Sequence, residues 1–221
     1  MKKILNKYKH AWVFLYFLIY MPWYFGIQLR TNVTFHDIYT SFDQMIPFVS
    51  WFVIPYVYWF LFVAATIAYL FFTDKEDFYK CVAFLFIGMT VCLTIFTIYP
   101  TSFDHRPTVI DGNPICQLLV NFIYTADKSQ NVCPSIHVYN SIGCAIALMK
   151  SRRFSNHNGM KLFAIISAVL ITLSTMFIKQ HSIIDVLMAT ILSVVLYGLV
   201  YKVDYVKIFD KKKIKSLKRV Q

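Results

Sequence analysis

The chain has 221 residues, 58% of them apolar and 18% aromatic, yet it carries a formal net charge of +11. Charged residues make up only 15%, against about 25% in an ordinary soluble domain. That balance argues against a soluble globular protein, a disordered tail or a secreted disulfide scaffold, and leaves a polytopic membrane protein built as one domain over 1–221.

A transmembrane helix needs roughly 20 apolar residues to cross about 30 Å of hydrocarbon. Residues 11–29 and 44–73 are free of Asp, Glu, Lys and Arg and predict the first two spans. Pro22 and Pro55 fall inside them, where neighbouring helices can satisfy the freed backbone groups. Residues 81–103 and 129–149 predict the third and fourth, and the shorter clean runs 162–178 and 186–201 the fifth and sixth. Apolar character all round, rather than along one stripe, distinguishes these segments from helices of a soluble bundle. The expected fold is all-α, a six-helix transmembrane bundle with both termini inside.

Charge sorts by side in that arrangement. Segments 1–10, 74–80, 150–161 and 202–221 hold 18 of the 22 Lys and Arg, leaving +13 on one side and −2 on the other. By the positive-inside rule the basic side is cytoplasmic. The basic tail, 202–221, reads as an orientation signal on anionic headgroups rather than a nucleic-acid patch, so membrane lipids and no nucleic acid are the expected partners. Met21-Pro22-Trp23 follows the first apolar run in place of a small-residue cleavage site, so an uncleaved first span is expected.

The five cysteines show no C-x-x-C spacing. Cys116 and Cys133 both fall in the outer segment between the third and fourth spans, where a disulfide between them is one reading and two free thiols the other.

Ionisable groups at membrane depth are costly and mark function. Three polar clusters lie at outer ends of spans: Tyr99 through Arg106-Pro107, Cys133-Pro134-Ser135-Ile136-His137, and Ser174 through Lys179-Gln180-His181 to Asp185. His181 and Asp185 are four residues apart and share a helix face. A carboxylate there would fix one ring nitrogen and leave the other as nucleophile or base. His137 supplies a second imidazole suited to proton transfer. Arg106 and Lys179 are cations able to meet a phosphoryl group. Pro134 suits a helix start, whose free amides favour an anion. Together these suit phosphoryl transfer. Asp127 and Asn131 are candidates for the site's entrance, or for helix caps.

These motifs resemble those of the type 2 phosphatidic acid phosphatase superfamily: K-x6-R-P, then P-S-G-H, then S-R-x5-H-x3-D. Arg106-Pro107 matches the end of the first, Pro134, Ser135 and His137 the second, and Ser174, His181 and Asp185 the third. The likeness covers roughly 90–200. Tyr99 stands for the first-motif Lys, Ile136 for Gly and Thr175 for the third-motif Arg, with Lys179 able to supply a replacement charge. These departures look like the inositol phosphorylceramide synthase-like branch, which also shares the Asp43-to-Tyr56 stretch. The resemblance implies His181 as nucleophile forming a phosphohistidine, Asp185 orienting it, His137 as general acid, and Arg106, Lys179 and Ser135 on the phosphoryl oxygens. It implies no metal and no cofactor.

The expected substrate is a lipid phosphate or phospholipid headgroup, handled on the extracytoplasmic side, with the plasma membrane the expected location. The acceptor is water or an alcohol. Two other classes stay open on the residues alone: a haem-binding protein ligated by His137 and His181, and a non-catalytic lipid-binding protein.

Overall fold

The structure is a computed structural model, and it describes residues 7–203; most of the basic tail lies outside the described residues. Among the described residues, five helices are long and apolar enough to cross a membrane: α1 (Lys9–Gln28), α3 (Ser50–Thr73), α4 (Lys75–Ile98), α7 (Asn158–Phe177) and α8 (Ile183–Lys202). The expected fourth span is shorter. Its helix, α6 (Ile136–Lys150), has 15 residues, a length of about 22 Å at 1.5 Å per residue. Residues 129–135 stay non-helical because their backbone is used elsewhere: Asn131 N–H donates to Thr101 O at 2.6 Å and Cys133 N–H to Thr101 Oγ1 at 3.1 Å.

Helix starts follow local chemistry. Asp74 caps α4 by accepting from the Glu76 and Asp77 amides, which moves that span six residues ahead of the clean apolar run. Ser135 caps α6 and Ser182 caps α8, the latter in a capping box with Asp185. Asn113 with Pro114 opens α5 (Pro114–Ala126), a helix within what the sequence presented as an outer loop. A short α2 (Ser41–Met45) precedes α3.

α6 is the hub of the bundle, packed against α3, α4, α7 and α8. Its crossing with α4 is close because Gly88 faces Tyr139 and Gly143 faces Phe84 and Leu85. The buried Tyr139 ring stacks on Phe84 at 5.0 Å, and its hydroxyl donates to Phe84 O at 2.6 Å. α1 leans on α4.

The two ends of the bundle differ. At one, His10 Nε2 meets Phe71 O at 3.0 Å, Arg152 pairs with Asp74 at 2.9 Å, and the Arg152 amide donates to Asp77 at 3.0 Å. These contacts gather the start of α1, the α3–α4 turn and the end of α6. At the other end, β1 (His36–Asp37) pairs in parallel with β2 (Thr101–Ser102), His36 opposite Thr101, and Ser102 bridges to Gln130. That small sheet ties three connections over the mouth of the bundle, where all three polar clusters lie.

Candidate active site

The site forms where α6 and α8 begin. The Ser135 amide donates to Asp185 O at 3.3 Å, and this backbone link brings the two helix starts, hence His137 and His181, together. His181 Nδ1 lies 2.9 Å from Asp185 Oδ2, which also accepts the Ser182 amide at 3.1 Å. Asp185 is fully buried and His181 only 7% exposed, so the pair is held away from bulk water. His181 Nε2 lies 3.4 Å from His137 Nδ1. Across the ring, His137 Nε2 is 4.0 Å from Asp127 Oδ2, which accepts the Tyr56 hydroxyl at 2.7 Å. A polar row therefore runs Asp185, His181, His137, Asp127, Tyr56. Tyr56 and Trp59 pack on the His137 ring at 4.7 and 4.4 Å.

Asp127 and Asn131, read from sequence as entrance residues, both line the cavity that holds the histidines. Asn131 Nδ2 is buried without a partner, and Lys128 lines the same mouth.

The predicted cations are placed differently. Arg106 donates to Tyr124 O at 2.9 Å, to Asp127 O at 2.5 Å and to Gln180 Oε1, and its guanidinium sits over the Tyr124 ring at 4.3 Å. It clamps Asp127 and Gln180, two lining residues, and its Nε is buried without a partner. Burial lowers its pKa from the usual value.

Lys179 does not point into the cavity. Its ammonium donates to Asp43 O at 2.8 Å and to Ile46 O, and its backbone is left-handed, with φ 54°. The residue ties the α2 loop to the α7–α8 turn. Ser135 is likewise committed: fully buried, its Oγ accepts the Val138 amide as the α6 cap. Of the two readings open for Cys116 and Cys133, the structure has the free thiols. Cys116 is buried among Val53, Tyr56 and Val120, whereas Cys133 lies against Asp185, and burial together with that carboxylate pushes its thiol up to about 12.

Sequence reasoning missed Asp43, Tyr56 and Gln180. Asp43 is 1% exposed and accepts from Thr40 N and Oγ1, Ser182 Oγ and Ile183 N at 2.8–2.9 Å, so it holds the start of α8. Its signal was Thr40-x-x-Asp43, a capping-box spacing. Tyr56 closes the Asp43-to-Tyr56 stretch and Gln180 lies within Lys179-Gln180-His181, but neither carried a role of its own.

No cluster of three or more His, Cys, Asp or Glu side chains suited to a metal ion occurs among the described residues. His137 and His181 abut at 3.4 Å, which leaves no room for a porphyrin between the two rings.

Fold and site together define an apolar helical membrane protein with a carboxylate-oriented histidine pair at one end of its bundle. Residues 101–208, just under half of the chain, match the model of the PAP2 superfamily. No curated protein and no solved structure matches the chain.

Proposed function

We propose that this chain is a PAP2-superfamily lipid phosphatase or phosphotransferase that works through a phosphohistidine on His181. The observation that carries the proposal is His181 itself: Nδ1 is held by a buried carboxylate, and Nε2 faces a second histidine at the polar end of an apolar cavity. Asp185 fixes the tautomer that leaves a lone pair on Nε2. Nε2 attacks phosphorus, and the departing lipid oxygen takes its proton from His137. The acceptor, water or an alcohol, then attacks the phosphohistidine and gives its proton back to His137. The phosphoryl group enters by parting the two rings, with Asn131 and Lys128 at the cavity wall and the Arg106 charge held directly behind Asp127 and Gln180.

In the proposed topology α6 counts as a sixth, shorter pass, both termini are cytoplasmic, and the site faces outward, in the plasma membrane. Support comes from the grouping of residues 8–10, 71–80 and 150–154 at the end opposite the site, which is the Lys- and Arg-rich side. Assignment to the inositol phosphorylceramide synthase-like branch rests on Tyr99, Ile136 and Thr175, and favours an alcohol acceptor.

Incubation of the purified protein with a lipid phosphate and candidate alcohols tests this, tracking free phosphate against a new phosphodiester. A covalent label stable to alkali and labile to acid is expected, absent in His181→Ala. Turnover that survives in His181→Ala would overturn the mechanism.

A further inference from the structure

The cavity beneath the histidines is about 660 Å³ and is bounded by α1, α3, α4, α5 and α6. Asp127, His137, Gln180 and His181 close its polar end, while Phe17, Tyr20, Val63, Ile67 and Met89 line the depth of it. Two lining groups break the apolar character below the site. Asn140 sits one helical turn deeper than His137, about 4.5 Å along the axis, is 3% exposed, and leaves Oδ1 without a partner. Trp59, whose ring packs on His137 at 4.4 Å, leaves Nε1 without a partner. Both residues line this one cavity, and buried polar atoms are nearly always paired, so two orphans in its wall fit a ligand that pairs them.

We infer that Asn140 and Trp59 form a second polar subsite that recognises a hydrogen-bonding linkage just below the phosphoryl group of the lipid. The inference rests on the lipid-phosphate reading above and narrows its substrate class. An ester, amide or hydroxyl a few bonds from the phosphate oxygen reaches this depth when the phosphorus is at His181 Nε2. Such a linkage supplies an acceptor for the indole N–H, and an amide or hydroxyl also supplies a donor for Asn140. A prenyl or plain alkyl phosphate has nothing to offer there and would bury both groups unpaired, the arrangement that most strongly separates a substrate from its analogue.

The test uses the full chain in nanodiscs with three probes: phosphatidic acid, an N-acyl amino-alcohol phosphate and hexadecyl phosphate. Wild type is expected to show kcat/KM about tenfold higher for the two linkage-bearing lipids than for hexadecyl phosphate. In Trp59→Phe, which keeps an aromatic ring on His137, that ratio is expected to fall toward one for both lipids, and in Asn140→Leu for the amide lipid, chiefly through KM. Loss on the amide lipid alone in Asn140→Leu would assign the donor contact to Asn140. Equal turnover of hexadecyl phosphate by wild type, or equal losses on all three probes, would overturn the subsite. Competition binding of the same probes to His181→Ala reads selectivity without turnover. Selective binding with no wild-type turnover would retain the subsite and reject the catalytic reading, whereas turnover without selectivity would do the reverse.

Discussion

Asp185 Oδ2 sits 2.9 Å from His181 Nδ1 and 3.1 Å from the Ser182 amide it caps, so one oxygen both starts α8 and sets the imidazole. Asp185→Asn separates the two roles. Asparagine can still present an oxygen to the Ser182 amide and to Nδ1–H, but its neutral amide does not stabilise a cationic ring. Turnover of a lipid phosphate is expected to fall about 10²–10⁴-fold, with thermal stability changed little; initial rates beside a melting curve check both.

Lys179 supports the site from outside it. Its ammonium holds Asp43 O and Ile46 O, and the Asp43 carboxylate in turn holds Ser182 and Ile183. Lys179→Met is expected to cost about 1 kcal/mol, since the group is partly exposed, a fall in Tm of about 2–4 °C. Asp43→Ala strands several buried donors and is expected to cost about 3 kcal/mol or more. A direct phosphate contact by Lys179 would instead appear as a large rise in KM at unchanged Tm.

Much of this arrangement was legible in the sequence, and the failures have physical causes. Charge-free runs located the long helices because apolarity is averaged over 20 residues and tolerates local error. Their starts were misplaced by single capping side chains, Asp74 for α4 and Ser135 for α6, which a hydropathy run does not register. His181 and Asp185 were readable because they are four residues apart, and the Asp185 side chain folds back from the first turn of α8 onto the residue just before its cap. Lys179 was misjudged because a helical face was assumed through residues where the chain leaves the helix, at φ 54°. Asn140 and Trp59 gave no sign at all: an Asn or Trp in an apolar run is ordinary, and only the cavity shows that their polar atoms lack partners.

The free thiols of Cys116 and Cys133 give a measurement that needs no substrate. Cys116 is buried, and Cys133 is held near 12 by burial and Asp185. At pH 7 Cys116 is expected to resist maleimide because it is buried, and Cys133 because only the thiolate alkylates. Cys133 should react faster by about tenfold per pH unit up to its pKa, with no plateau near pH 9. After denaturation without reductant both should label fully. Protection that requires a reductant to relieve it would establish the bridge that this structure lacks.

Gly88 tests whether the close α4–α6 crossing positions the histidines. A methyl group there would run into the Tyr139 ring, which is buried, stacked on Phe84 and bonded to its carbonyl. The ring cannot yield without breaking that hydrogen bond or pushing α6 outward, and α6 carries His137 and Asn140. Gly88→Ala is therefore expected to cost about 1–3 kcal/mol, and to lower turnover beyond what the lost folded fraction explains, because His137 shifts with its helix. Tyr139→Phe removes the hydroxyl while keeping the ring, so its cost should be smaller, about 1 kcal/mol for one hydrogen bond. In the double variant Gly88→Ala, Tyr139→Phe the ring carbons nearest the methyl remain, but the ring is no longer tied to Phe84 O and can tilt away. If the crossing sets the site, the double variant should recover part of the turnover lost in Gly88→Ala; strictly additive losses would show that Gly88 and Tyr139 do not act through one contact.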